Sequence, residues 1–240
     1  MKQNISATIL ALILSLFLTP FASADTAEGE ESVGADVFEP GKWTEKAVTM
    51  LDEQMNQSPD KRIPKGLLQK AKCVALFPEV LQGGLGIGGK FGRGLVSCRH
   101  ENGDWGVPVF TRLTSLTFGA QIGAQSVDVL MLIMNDKGLT TLLGGKPIVG
   151  AEAGIAAGPV GREGSANLDV FLQTPIVSYS RSKGLFAGAI LEGAAITRAK
   201  KTNHDLYGDY ENTEELLFKR TEAPESVQMI RDALAKYSQS

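Results

Sequence analysis

The chain has 240 residues, 43% of them hydrophobic and 21% charged, with 24 basic side chains against 27 acidic ones. That composition excludes a wholly disordered chain, and a net charge of −3 argues against nucleic acid as a partner, because such binders carry a strongly basic footprint. The length suits one large domain or two small ones, with enough chain to bury a core.

The N-terminus carries Lys2, an apolar run from Ile9 to Leu18, and the triplet Ala22-Ser23-Ala24. This is the layout of a cleavable signal peptide over residues 1–24. The ten-residue run is shorter than the ~20 residues a membrane-spanning helix needs. The mature protein is therefore expected to be exported, periplasmic or secreted, and peripheral on a membrane. Without Lys2 its net charge is −4, from 23 basic and 27 acidic residues. Residues 25–40 hold Asp25, Glu28, Glu30, Glu31, Asp36 and Glu39 and no basic residue before Gly41, which reads as an acidic flexible linker. Residues 41–240 read as a single domain.

Trp43, Ala47, Met50, Leu51 and Met55 recur on one helical face and predict a first helix over about 43–57, closed by Ser58-Pro59-Asp60. Pro64 suits the first turn of a second, short helix carrying Leu67, Leu68 and Ala71. At Cys73 the pattern changes. Val74 to Phe77 forms an apolar run that stops at Pro78, and β-type runs follow over 85–98, 105–113, 115–123, 126–134, 147–157, 168–180 and 185–197. The 27 glycines, many inside these runs, suit a strongly curved sheet. Val127 to Met134 is nearly all apolar and predicts a central strand covered on both faces. Thr213-Glu214-Glu215 begins another helix, and Pro224 opens a last one with Val227, Ile230, Leu234 and Tyr237 in one stripe. The expected fold class is α+β: N-terminal helices, a glycine-rich curved antiparallel sheet or barrel, and C-terminal helices.

Cys73 and Cys98 would meet an oxidising compartment after export, where pairing is chemically allowed; two small buried thiols is the other reading. Gly84 to Gly89 fits G-x-G-x-x-G, and Gly84 to Lys90 fits most of a phosphate-binding loop. However, Phe91 stands where Ser or Thr must hold Mg²⁺, and Phe91-Gly92-Arg93-Gly94 does not open a helix, so a glycine-rich strand pair is expected instead. The two histidines, His100 and His204, belong to no metal-ligand spacing, and no G-x-S-x-G elbow occurs. Asp128, Asp169 and Glu192 sit in apolar strand contexts that would suit a buried carboxylate site, and they read instead as hydrogen-bonded structural anchors. No catalytic residue, metal or cofactor is expected, and the protein is read as not an enzyme.

Several motifs together carry a resemblance. They are Ile63-Pro64-x-x-Leu67-x-x-Ala71-Lys72, Phe77-Pro78, Gly84-x-Gly86 through Gly92-x-Gly94, Asp104-Trp105-Gly106-Val107-Pro108, and Gln121 to Asp128. Ala156 to Arg162, Tyr179 to Gly188, Leu191-Glu192-Gly193, Asn203 and Tyr207-Gly208 continue the likeness. Over about residues 43–210 the chain resembles the SYLF domain, a lipid-binding family also described as actin-binding in some eukaryotes. The resemblance implies a module that binds membrane lipid, with phosphoinositides the ligands of eukaryotic relatives. Cys73 departs from the family's usual glycine, and Gly106 from a common serine. A signal peptide and an acidic linker replace the basic amphipathic segment of eukaryotic members, which argues against actin as a partner.

A reader of anionic phospholipid with net negative charge needs local cations, each worth about 1 kcal/mol near the surface. The candidates are Lys61, Arg62, Lys65, Lys70 and Lys72 around the second helix, Lys90 and Arg93 in the glycine-rich strands, and Arg181 and Lys183 in a hairpin turn. A solvated positive face is the alternative for any one of them. Arg162, beside Gly161 and Glu163-Gly164-Ser165, is expected to serve the fold by bonding turn carbonyls. The expected function is non-enzymatic lipid binding in the cell envelope, with a self-assembling envelope protein that binds a protein partner as the alternative. Oligomeric state is left open.

Overall fold

The computed structural model describes residues 39–145, 154–161, 168–182, 185–188 and 193–239. The signal peptide, nearly all of the acidic linker, and Arg162, Lys183 and Glu192 lie outside the described residues.

Helix α1 spans Pro40–Met55 and buries Ala47, Met50, Leu51 and Met55, the stripe read from the sequence. A proline at its start loses nothing, because the first N–H groups of a helix have no internal partner. Helix α2, Lys65–Lys70, follows Pro64 and buries Leu67 and Leu68. Two long strands come next: β1 over Cys73–Cys98 and β2 over Val109–Ile133. Their antiparallel register runs from Cys73↔Ile133 to Val96↔Val109.

A straight strand of 26 residues would span roughly 85 Å at ~3.3 Å per residue. Instead, the Cα atoms of Cys73 and Cys98 lie 3.9 Å apart and their sulfurs are joined in a disulfide. The ribbon is thus bent double into two limbs, 73–84 with 123–133 and 88–98 with 109–117. The Arg99 N–H donates to the Lys72 carbonyl at 2.8 Å beside the disulfide. Glycine lets the limbs approach: a Cβ on Gly94 would fall well inside 3.0 Å of the Leu76 carbonyl and the Phe77 ring, and one on Gly92 equally close to Val80.

The chain continues with α3 (Asp136–Leu143), β3 (Ile155–Ala157), α4 (Leu168–Gln173), β4 (Ile176–Ser182), β5 (Leu185–Gly188) and β6 (Ala194–Arg198). It ends with α5 (Lys200–Tyr207), α6 (Thr213–Phe218) and α7 (Glu225–Ser238). Strand β4 pairs with the first limb of β2, from Asp128↔Arg181 to Ile133↔Ile176, and β6 pairs with the second limb, from Thr111↔Arg198 to Ser115↔Ala194. Strand β5 pairs antiparallel with β4.

The α+β class and the curled glycine-rich sheet agree with expectation, while five details differ. The sheet is mixed, because β3 runs parallel to β4, with α4 in the crossover between them. The expected strand 168–180 is therefore helix first and strand second. The four short runs between 85 and 134 belong to two continuous strands. Pro78 lies within β1, at a bulge where the register shifts between Phe77 and Val80, so its missing N–H breaks no regular ladder. Helix α3 was not anticipated, although Asn135 caps it by accepting from the Gly138 N–H at 3.1 Å.

Alternation along the strands builds two cores. Val127, Val129, Met131 and Ile133 face Phe77, Val80, Val96, Leu113 and Ile196 in one, roofed by Leu142, Leu216 and Leu217. Leu130, Leu132 and Met134 face the other, with Leu76, Leu95 and Phe110 under α1, α2 and α7. The central strand over 127–134 is indeed covered on both sides.

Candidate functional site

The two limbs differ in what covers them. Beyond the Leu95/Phe110 pair, residues 112, 114 and 116 of β2 are exposed while 111, 113 and 115 stay buried. The open face thus carries Arg112, Thr114 and Leu116, with Phe91 and Arg93 opposite them on β1. Leu116 is 68% exposed, Leu81 on the first limb 63% and Phe91 46%. All three line a cavity of ≈ 630 Å³ beside the bend, together with Gly83, Lys90 and Ala124. Large apolar side chains grouped in solvent next to cations mark a surface built to be covered.

Lys90 makes this site electrostatically unusual. It pairs with Ser115 across the ribbon and has no ion pair or hydrogen bond among the described residues. Desolvation by burial lowers its pKa.

The other candidate cations divide. Lys61, Lys65 and Lys70 are exposed, and α2 presents Leu67 and Leu68 to the core behind them. Arg62 is half-buried, and its carbonyl accepts from the Gly161 N–H at 3.1 Å. Lys72 is paired with Asp136 at 2.6 Å. Arg181 needs reassignment: it lies inside β4, not in the turn, with 19% of its side chain exposed. Its guanidinium grips Asp128, with Nε to Oδ2 at 2.5 Å, pairs also with Glu53, and stacks over the Phe186 ring at 5.2 Å. The charge of Arg181 is engaged within the fold.

Asp128 is 8% exposed and accepts the Glu79 N–H at 2.8 Å. Glu79 holds φ of 54° in the bulge, a left-handed backbone that a non-glycine side chain disfavours, and Asp128 pins it. Burial pushes the Asp128 carboxyl upward, opposed by that hydrogen bond. Lys46 reaches the Glu79 carboxylate at 2.6 Å from α1, so this network ties α1, β1, β2 and β4 together.

The motif residues serve the fold in the same way. The Asn203 amide bonds both the N–H and the carbonyl of Phe110, at 2.8 and 2.9 Å. Trp105 Nε1 donates to Ser238 Oγ at 2.9 Å, and the Tyr179 hydroxyl donates to the Pro159 carbonyl at 3.1 Å. Gly158 leaves no room for a Cβ against the Tyr179 ring. The G-x-G-x-x-G stretch lies in β1 and opens no helix. Among the described residues no cluster of His, Cys, Asp or Glu could hold a metal. Sequence reading missed Leu81, Phe91 and Leu116, since an apolar residue in an alternating strand looks like core; the flanking glycines were the available signal.

Residues 114–237 match the Ysc84 family model, described as a Las17-binding protein actin regulator. The chain is 29% identical over 182 residues to the human SH3 domain-containing YSC84-like protein 1, covering 75% of this chain and 53% of the relative. A Schizosaccharomyces pombe SH3 domain-containing protein is 32% identical over 162 residues (66% of this chain, 37% of the relative), and Saccharomyces cerevisiae protein YSC84 is 29% identical over 168 residues (69% and 36%). The chain spans about half the length, or less, of these relatives. These names overturn the argument against actin. That argument rested on residues 1–40, and the family match lies wholly outside them.

Proposed function

The chain belongs to the Ysc84 (SYLF) family, and from that premise we propose that it is a non-enzymatic binding module that docks on anionic phospholipid through the bend of its β1–β2 ribbon. The observation that carries this reading is that exposed Leu81, Phe91 and Leu116 line one cavity with Lys90, which is half-buried and has no ion pair or hydrogen bond among the described residues. Apolar side chains at an interface contribute by leaving water, and a cation among them meets the phosphate without a further desolvation step. With residues 1–24 acting as an export signal, the surface would be a membrane of the cell envelope.

Co-sedimentation with neutral vesicles and with vesicles containing phosphatidylglycerol tests this. Binding should favour the anionic vesicles and fall with salt, and the double variant Phe91→Ser with Leu116→Ser should weaken it by about tenfold or more. Lys65→Glu with Lys70→Glu, which alters only α2, should have the smaller effect. If the α2 variant loses binding while the bend variant keeps it, the bend is not the docking surface.

An actin-regulatory partner is the second reading, favoured by the description of the matched family. Co-sedimentation with actin filaments, carried out with the same variants, separates it from the first.

A further inference from the structure

A second cavity, of ≈ 250 Å³, lies among β1, β2, β6, α3 and α6. Its walls are Val96, Val109, Ile196, Leu142 and Leu217, one from each of those elements. One wall position is polar. Thr111 alternates onto the same face as Val109 and Leu113, is 6% exposed, and its Oγ1 has no hydrogen-bond partner among the described residues. A buried hydroxyl without a partner costs about 1–3 kcal/mol, so the fold gains nothing by keeping threonine where valine would pack.

What surrounds that hydroxyl defines a ligand. The β2–β6 register sets Thr111 directly opposite Arg198, which lines the cavity and donates from Nη1 to Thr213 Oγ1 at 2.9 Å. Lys200 lines it too, and no acidic side chain does among the described residues. A bare inorganic anion would leave the apolar walls uncovered, while a neutral hydrocarbon would leave Thr111 unpaired and make no use of the exposed Arg198 and Lys200 at the cavity's edge. The volume holds about eight water-sized groups at ~30 Å³ each, too few for the two chains of a membrane phospholipid. We propose that this cavity binds a single-chain anionic amphiphile of roughly eight carbons, its carboxylate held by Thr111 and Arg198 and its chain lying along Leu142, Ile196 and Leu217.

The site stands apart from the ribbon bend, and its test uses sodium octanoate with the full chain. Titration calorimetry should show saturable binding of octanoate, with octanol and inorganic phosphate each at least about tenfold weaker. Thr111→Val, which keeps the shape of the side chain, should weaken octanoate about fivefold to tenfold while raising Tm without ligand, an effect opposite to that of removing a structural hydrogen bond. Phe91→Ser with Leu116→Ser should leave octanoate binding unchanged. Methyl NMR on the unmodified protein supplies a readout independent of any variant, with shifts expected at Val109, Ile196 and Leu217. The proposal is overturned if octanoate does not saturate, if Thr111→Val binds it as tightly as the parent, or if the shifts centre on Leu81 and Leu116.

Discussion

The closed end of the β1–β2 ribbon and its bend are made from the same two strands and have opposite fates. At the closed end Cys73, Val74, Ala75 and Leu76 are fully buried, because helices α1, α2 and α7 cover one face and residues of α3 and α6 the other. Fifteen residues beyond Leu76 along β1, Phe91 stands in solvent with Leu81 and Leu116. Hydrophobicity does not distinguish the two regions. What distinguishes them is the layer packed over each limb, together with glycines that spend the close approach at one end and the curvature at the other. Stability should therefore reside at the closed end and binding at the bend, and each substitution should move one of them and not the other.

The largest stability effect should come from opening the closed end. Cys73 and Cys98 close a loop of 25 residues, for which restriction of the unfolded chain predicts about 3.5 kcal/mol. Replacing both with Ala should lower Tm by that equivalent and leave vesicle binding per folded molecule intact. If residues 1–24 are removed on export, intact mass should show a chain starting at Asp25 and two hydrogens lighter than the dithiol, which tests the bond and the leader together. Next comes Gly94→Ala. Its Cβ has no space against the Leu76 carbonyl and Phe77, neither of which is the free end of a flexible chain, so about 3 kcal/mol should be lost. At the bend, Gly89→Ala meets only the Ser115 carbonyl at 3.3 Å and should stay within about 1 kcal/mol of the parent. Equal losses in thermal or urea melts of the two glycine variants would break the comparison.

The same contrast explains what could be read in the sequence. The stripes of α1 and α7 and the two-faced strand over 127–134 were legible because each packs by simple periodicity: Val227, Ile230, Leu234 and Tyr237 are all buried. The continuity of β1 was not legible, since Pro78 and seven glycines between 83 and 94 look like strand ends one at a time and become a bulge and a bend only when β2 follows them in register. Arg181 looked like a turn cation because nothing local reveals Asp128 and Glu53, which are distant in sequence. Thr111 was invisible for the same reason, its neighbours Arg198 and Thr213 arriving from the far end of the chain. In the sequence only its charge marks Lys90 as a contact candidate, whereas the feature that singles it out, burial with no partner among the described residues, belongs to the folded ribbon.

Lys90 gives the smallest change in stability and the sharpest separation of the two regions. Because burial lowers its pKa in the folded state, the unfolded chain binds more protons than the folded one between that lowered value and the ordinary 10.5. Stability contributed by this side chain therefore rises as pH climbs through that window, and at neutral pH the protonated amine detracts from folding. Lys90→Met keeps the length and the apolar stem while removing the charge. At pH 7 it should raise stability by at most about 0.5 kcal/mol, or 1–2 °C in Tm, and the gap from the parent should close as pH approaches 10.5. Binding should move the other way: losing one lysine at an anionic surface, worth about 1 kcal/mol, should weaken association with phosphatidylglycerol vesicles about fivefold and flatten its salt dependence. A variant that is both more stable and a poorer binder is what a cation held for an external anion predicts. If Lys90→Met melts lower and binds as before, Lys90 supports the ribbon itself, and the bend loses its claim to be the site.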